Sequence, residues 1–353
     1  FDGNRPHIAG SSAHFRLRVS ELRCAAESLL EELVELIREK HPAIVGCSST
    51  LQQHVPSLAL LRALRENMPE VVTVLGGANC EASMGHATHK CFPWVDYVFS
   101  GEADAWITPL FSGILAHGRE VPVEELPPCT LAPIHRHQGY PTEESAMPRA
   151  TLVSLEEQPL PDYGDYFDTL DRLPELKTRL RPSLPLETSR GCWHGRGDGG
   201  GCTFCGLNGA GKRYRSMSSW KALRDITDIA GKYGVDRVQT MDNVMDPVHV
   251  RELVPELEKN PHGPKLWYEV RTHLSQMDLL AFHRANIRWI WAGIESLDDR
   301  LLDHMGKGST AINNVRFLKA CRQAGLFVGW NLMLDFRATM TTGIAIQPCG
   351  WTV

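Results

Sequence analysis

Ser189-Arg190-Gly191-Cys192-Trp193-His194-Gly195, resumed after five residues by Gly201-Cys202-Thr203-Phe204-Cys205-Gly206-Leu207-Asn208, decides how this chain is read. The run follows a short apolar segment, Leu184 to Thr188, that reads as a buried strand. Cys192, Cys202 and Cys205, the last two in a C-x2-C spacing, can hold three irons of a cubane cluster and leave the fourth open to a small molecule. Structural zinc is the competing reading. A closed zinc site wants four protein ligands, and His194 supplies a fourth. The intervening loop is glycine-rich (Gly195, Gly197, Gly199, Gly200, Gly201) and can fold back around a bulky cluster. Spacing alone leaves both metals open, because both favour thiolates.

Working outward, 353 residues suit two domains, each large enough for its own core. A hydrophobic fraction of 42% with 22% charged residues is ordinary for a globular protein. The net charge of -5 gives no support for a general nucleic-acid-binding surface. No apolar run is long enough to span a bilayer. Phe1-Asp2-Gly3-Asn4-Arg5-Pro6 lacks a signal-peptide pattern. Ten cysteines without such a signal point to metal ligation in a reducing compartment, with the cytoplasm as the expected location.

Arg16 to Glu39 carries a helical stripe of Val19, Leu22, Leu29, Leu30, Leu33, Leu36 and Ile37. Strand Ala43 to Cys47, a helix bearing Leu58, Leu61 and Leu64, strand Val71 to Leu75, strand Val95 to Phe99 and a helix from about Ala103 to Ala116 follow. Strands alternating with helices imply a parallel sheet whose ligands bind beyond the carboxyl ends of the strands. Those ends are Ser48-Ser49-Thr50, Gly76-Gly77-Ala78-Asn79 and Ser100-Gly101-Glu102, all small and polar. They suit close approach of a phosphate- or amide-bearing cofactor, although a Gly-Gly by itself also reads as a plain tight turn.

From Glu120 to Pro185 the texture changes. Half of the chain's 22 prolines fall there, the mark of a linker or irregular wrapping segment. After the cysteine loop the strand–helix rhythm resumes, with strands Val235 to Thr240, Leu266 to Val270, Arg288 to Ala292 and Phe327 to Met333. Polar residues stand at their carboxyl ends, where barrel enzymes place their chemistry. The expected division is 1–118, a Rossmann-like domain; 119–183, a linker; 184–334, a partial (β/α) barrel one strand short of six; and 335–353, an atypical tail without hydrophobic periodicity.

Thr188-Ser189-Arg190-Gly191-Cys192-Trp193 with Cys202-Thr203-Phe204-Cys205-Gly206-Leu207-Asn208-Gly209 resembles the cluster loop of radical S-adenosylmethionine enzymes. More narrowly, it is similar to the cobalamin-binding class that C-methylates ribosomally made peptides. Leu75-Gly76-Gly77-Ala78-Asn79-Cys80-Glu81, Val98-Phe99-Ser100-Gly101-Glu102, Leu160-Pro161-Asp162-Tyr163, Tyr268-Glu269-Val270 and Gly293-Ile294-Glu295-Ser296-Leu297 carry the same resemblance in family order, across roughly residues 30 to 333.

The resemblance implies an α/β fold: an N-terminal Rossmann-like cobalamin-binding domain, then a radical S-adenosylmethionine barrel. It implies a 4Fe-4S cluster on Cys192, Cys202 and Cys205, whose open iron takes the amino and carboxylate groups of S-adenosylmethionine. Phe204 matches the aromatic position beside the adenine, and Glu269, Glu295, Ser296, Asp242 and Asn243 are the expected hydrogen-bonding partners of the same molecule. For each of these, a barrel-lip residue satisfied by backbone is the alternative. Ser48, Ser49, Thr50, Gly76, Gly77, Ala78, Asn79, Ser100, Gly101 and Glu102 are the expected cobalamin loops. No Asp-x-His-x-x-Gly occurs, so a base-off corrin between the domains is expected. The implied partners are a precursor peptide and an electron donor of the flavodoxin or ferredoxin type, with no nucleic acid and no membrane.

Three departures stand against the family pattern. Nine residues separate Cys192 from Cys202, more than is usual there, so the added glycines are expected to bulge outward. His194 replaces a second tryptophan. The tail Asp335-Phe336-Arg337-Ala338 replaces a Gly-Phe-Pro-Gly-Glu-like turn, which implies a truncated chain or a shifted reading frame. Cys24, Cys47, Cys91, Cys129, Cys321 and Cys349 read as buried or incidental thiols, and Cys80 as core or as a corrin neighbour. The alternative functions are a cobalamin radical enzyme acting on a small molecule, an inactive truncated form, or a zinc-stapled binding protein.

Overall fold

A computed structural model describes residues 13–140, 148–195, 201–206 and 214–333. Gly197, Gly199, Gly200, Leu207, Asn208, Gly209, Cys349 and the tail 335–353 lie outside the described residues. The chain divides into two compact units, one up to Leu152 and one from Val153. The proline-rich segment read as one linker is thus shared: its first part completes unit one and its second belongs to unit two.

In the first unit α1 (Ala13–Glu39) leads to β1 (Ile44–Ser48), α2 (His54–Asn67), β2 (Val72–Gly76), α3 (Ser83–Cys91), β3 (Tyr97–Phe99), α4 (Ile107–His117), β4 (Thr130–Leu131) and α5 (Ile134–Gln138). The sheet order is β1-β2-β3-β4, parallel except for β4. Val72, Val74, Tyr97 and Phe99 pack on one face with Leu110 and Ile114, and Val71, Leu75, Val95 and Val98 on the other with Leu58, Leu61 and Leu64. Burial on both faces is why β2 is almost continuously apolar. The stripe read along α1 is narrower than expected. Val34 is buried, whereas Leu22, Leu29 and Leu36 are exposed.

Beneath this sheet, buried Asp96 accepts from Arg65 (2.5 Å), Arg119 (3.0 Å) and the Thr73 amide (2.9 Å). Its charge is therefore fully partnered, as burial requires.

The second unit contains α6 (Gly164–Asp171), α7 (Pro174–Arg179), β5 (Leu184–Leu186), β6 (Ser189–Arg190), β7 (Arg215–Ser216), α8 (Ser219–Tyr233), β8 (Arg237–Thr240), α9 (Pro247–Glu258), β9 (Lys265–Val270), α10 (Gln276–Arg284), β10 (Ile287–Glu295), α11 (Asp299–His304), α12 (Ala311–Gln323) and β11 (Phe327–Leu332). The helix starts follow sequence: Ser218, Asp246, Ser275, Asp298 and Thr310 each cap a first turn through a side-chain oxygen. Five parallel strands lie in the order β11-β10-β9-β8-β5, which is also chain order. Each β–α step therefore advances the same way, as in a barrel wall, without the reversal of a doubly wound sheet. No helix of the described residues is long and apolar enough to cross a membrane.

Candidate active site

Asp242, just past β8, fixes the entry to the cysteine loop. Its Oδ1 accepts from the amides of Thr188 (2.7 Å) and Ser189 (3.0 Å), and its Oδ2 from the Thr188 hydroxyl. Burial raises its pKa to about 6 against these donors, so it remains a carboxylate at neutral pH. Expected to meet S-adenosylmethionine, Asp242 instead has both oxygens occupied by the protein and positions the loop.

Residues 304–308 hold the loop's other side. Thr203 donates from its amide to the Met305 carbonyl (2.9 Å) and from its hydroxyl to that of His304 (3.3 Å). His194 Nε2 donates to the Gly306 carbonyl at 2.8 Å, which removes that nitrogen from any zinc set. The Arg271 guanidinium binds the Lys307 carbonyl and lies 5.5 Å from the Trp193 ring. Gly306 has φ +63, and a Cβ there would stand 2.9 Å from the Gly201 carbonyl. A Cβ on Gly201 would come within 3.2 Å of Gly195 Cα, so these two described glycines approach closely.

Cys192, Cys202 and Cys205 are half-buried, and all nine described cysteines are unpaired. Three free thiols on one anchored loop have the donor chemistry of an iron–sulfur ligand set. Among the described residues no three His, Cys, Asp or Glu side chains stand close enough together to hold a metal ion. Drawing the thiols around a metal would therefore couple metal binding to ordering of the loop.

Glu269 lies at the carboxyl end of β9. It is half-buried, and among the described residues no hydrogen bond to its carboxylate offsets that burial. Burial, then the charges of Asp242 and Glu295, raise its pKa to about 7. Glu295 ends β10 with φ +59, beside a register shift between Ala292 and Glu295. Its Oε1 meets Lys307 Nζ at 3.0 Å, and the same ammonium stands 5.7 Å from the Phe204 ring centroid. Gly293 makes room for it, since a Cβ there would lie 2.7 Å from Nζ. The buried Ser296 hydroxyl accepts from the Asp298 amide at 3.1 Å. Asn243 is half-buried beside Asp242. Phe204, Glu295 and Lys307 thus come together, with Glu269 under the field of Glu295. Sequence reading missed Lys307, although a lysine between Gly306 and Gly308, both at positive φ, was a signal.

In the first unit all ten expected cobalamin residues lie along the carboxyl ends of β1, β2 and β3. Ser49 donates its amide to Gly76 (2.8 Å) and accepts from the amide of Asn79 (3.0 Å), whose side chain also reaches the Ser49 hydroxyl and the Leu51 carbonyl. Thr50 is capped by Gln53. Ser100 Oγ accepts from the Ala82 amide (2.8 Å) and donates to the Pro148 carbonyl (2.9 Å). Glu102 is buried against Arg149 (3.2 Å) and the Leu152 amide (2.9 Å). Ser49, Ser100 and Glu102 are therefore occupied internally, and only Ser48, Thr50 and Ala78 are openly exposed. Gly77 and Gly101 are explained by the fold: a Cβ would lie 2.6 Å from the Ser49 carbonyl and 2.4 Å from that of Ala150. What these loops offer a large cofactor is a small-residue backbone rim. A cavity of about 920 Å³, lined by Leu30, Leu33, Cys47, Ser48, Gln53 and Leu60 among others, opens beside that rim.

This arrangement can be set beside known proteins. The structure of the cobalamin-dependent S-adenosylmethionine radical enzyme OxsB, with aqua-cobalamin and S-adenosylmethionine bound, superposes with a TM-score of 0.63 over 85% of this chain and 42% of that one, at 19% identity. The chain has the OxsB fold. In sequence it is 22% identical to an uncharacterised methyltransferase of Pyrococcus horikoshii over 318 residues, 88% of this chain and 64% of that protein. It is 20% identical to the anaerobic magnesium-protoporphyrin IX monomethyl ester cyclase of Synechocystis over 314 residues, 86% of this chain and 58% of that protein. The chain thus spans less than two thirds of the length of either relative. No protein-family model matches it.

Proposed function

We propose that this chain carries the catalytic core of a cobalamin-dependent radical S-adenosylmethionine enzyme that methylates carbon, with a ribosomally synthesised precursor peptide as substrate. The observation that carries the reading lies at the carboxyl end of the five-stranded sheet. There a loop with three free thiols stands at the same end as a half-buried carboxylate, Glu269, whose burial no hydrogen bond among the described residues offsets. The OxsB-like fold supports the cofactor pair, and the Pyrococcus relative supports methyl transfer. The peptide substrate rests on the motif resemblance.

Cys192, Cys202 and Cys205 would hold a 4Fe-4S cluster, and the rim at Ser48, Gly76 and Ser100 a cobalamin. When bound, these groups supply an electron to a sulfonium substrate and a methyl group for transfer. The residues do the binding and orienting. Glu269 and Glu295 would offer negative charge to the ammonium of an amino acid, and Lys307, paired with Glu295, positive charge to its carboxylate. Phe204 supplies an apolar face beside that pair. Asp242 fixes the entry of the loop, at Thr188 and Ser189, to the carboxyl end of β8. A flavodoxin- or ferredoxin-type electron donor is the expected partner, and unpaired thiols suit a reducing, cytoplasmic setting.

The test is anaerobic reconstitution with iron and sulfide, then addition of S-adenosylmethionine and reductant. About four irons and four sulfides per chain, 5′-deoxyadenosine formation, loss of both in Cys192→Ala, and corrin absorbance after incubation with hydroxocobalamin are expected. A colourless protein retaining about one zinc would overturn the reading.

A further inference from the structure

Glu295 is one of six described non-glycine residues with positive φ, and its carboxylate pairs with Lys307 in the candidate site. A left-handed glutamate is strained and persists only where its surroundings over-determine it. Here the constraint is one buried side chain from another element. Asn314, on the first turns of α12 and fully buried, donates from Nδ2 to the carbonyl of Ile294 and to that of Ser296, both at 3.0 Å. Both neighbours of Glu295 are thus gripped by one amide group.

Asn314 is itself held. Its Oδ1 accepts from the Ser309 hydroxyl at 2.9 Å, and Ser309 lies 2.9 Å from the Thr272 hydroxyl. Because the Ser309 proton is committed to Asn314, Thr272 is the donor of that second bond. Thr272 follows β9, which carries Glu269. The chain Thr272–Ser309–Asn314 therefore ties the ends of β9 and β10 to α12. The loop it crosses, residues 304–310, is also the one that holds the cysteine loop through Thr203 and His194.

We infer that Asn314 is a positioning residue: it fixes the left-handed turn at Glu295 and so sets the carboxylate that binds S-adenosylmethionine. The binding part rests on the function proposed above, whereas the clamp does not.

Two measurements separate them. In cofactor-free protein, hydrogen–deuterium exchange of a peptide covering residues 293–298 should accelerate in Asn314→Ser and Asn314→Ala, with the rest of the second unit unchanged. In reconstituted protein, Asn314→Ala should weaken S-adenosylmethionine binding about tenfold when Glu295 is present, but by less than about twofold in a Glu295→Gln background. Unchanged exchange at 293–298, exchange spread evenly over the unit, or equal losses of affinity in both backgrounds would overturn the inference. Should Asn314→Ala not fold, Asn314→Ser, which keeps one donor, is read by the same criteria. If the wild type binds no S-adenosylmethionine, the functional proposal fails and the exchange result alone judges the clamp.

Discussion

Lys307 Nζ lies 3.0 Å from Glu295 Oε1, and the pair joins the loop after α11 to the end of β10 with both side chains largely removed from water. Truncating one partner of such a pair leaves a buried charge alone, which costs about 3–5 kcal/mol. Lys307→Met is therefore expected to lower the urea midpoint of the second unit and to abolish S-adenosylmethionine binding. Lys307→Arg should recover most of the stability. Chemical denaturation with a tryptophan probe checks the first effect and equilibrium dialysis the second. A neutral Lys307→Met would remove the pair from the site.

Glu269 should make the cofactor-free protein pH-sensitive in a direction opposite to most carboxylates. Its pKa rises from 4.5 unfolded to about 7 folded, so the native state binds the extra proton between those values. Stability then falls as pH rises through that window and is flat above it. Glu269→Gln should be more stable than the wild type at pH 8 and equal to it near pH 4.5. Equal urea midpoints at pH 8 would contradict the account.

The first unit should respond to acid. His89 is fully buried: its Nε2 donates to the Asp96 carbonyl (3.1 Å), so Nδ1 of the neutral ring accepts from the Tyr140 hydroxyl (3.0 Å), and burial with nearby Arg136 lowers its pKa to about 3. The unfolded chain takes up a proton near pH 6.5 while the native state resists it, so stability is complete above 6.5 and drains away as pH falls toward 3. His89→Gln is expected to flatten that slope, as followed by hydrogen exchange of α3 between pH 7 and 4.

Gly101 offers a test of backbone fit without ligand chemistry. With φ +98 and a would-be Cβ 2.4 Å from the Ala150 carbonyl, Gly101→Ala is expected to cost about 2 kcal/mol or more. If the loop instead served mainly as ligand backbone, the variant would keep its Tm and lose only corrin binding.

Lys221 and Asp225, 2.5 Å apart and buried on one face of α8, set a further expectation. Asp225→Ala should cost about 3–5 kcal/mol, whereas the double change Lys221→Met with Asp225→Leu should be far milder. Thermal melts of the three variants distinguish the cases.

The strands and their order along the chain were legible because each βα unit alternates an apolar run with a capped amphipathic helix. Ser218 and Thr310, residue types favoured at helix starts, cap α8 and α12. The α1 stripe misled because an apolar spacing reports a face without saying what covers it. Asp242 could not be separated by sequence from a ligand-binding carboxylate. The bonds that occupy it come from Thr188 and Ser189, more than fifty residues away. Gly77 and Gly101 looked like ligand glycines for the same reason, since their crowding comes from Ser49 and Ala150. Asn314 carried no local signal at all. Its role exists only once α12 is packed behind β10.

Gly195 and Gly201 sit back to back, with a Cβ on the second only 3.2 Å from the first. A change in the number of residues joining these two glycines need not disturb that contact. A reporter sequence, such as a short lanthanide-binding tag, can therefore be grafted between Gly195 and Gly201 with their close approach as the check that the graft is tolerated.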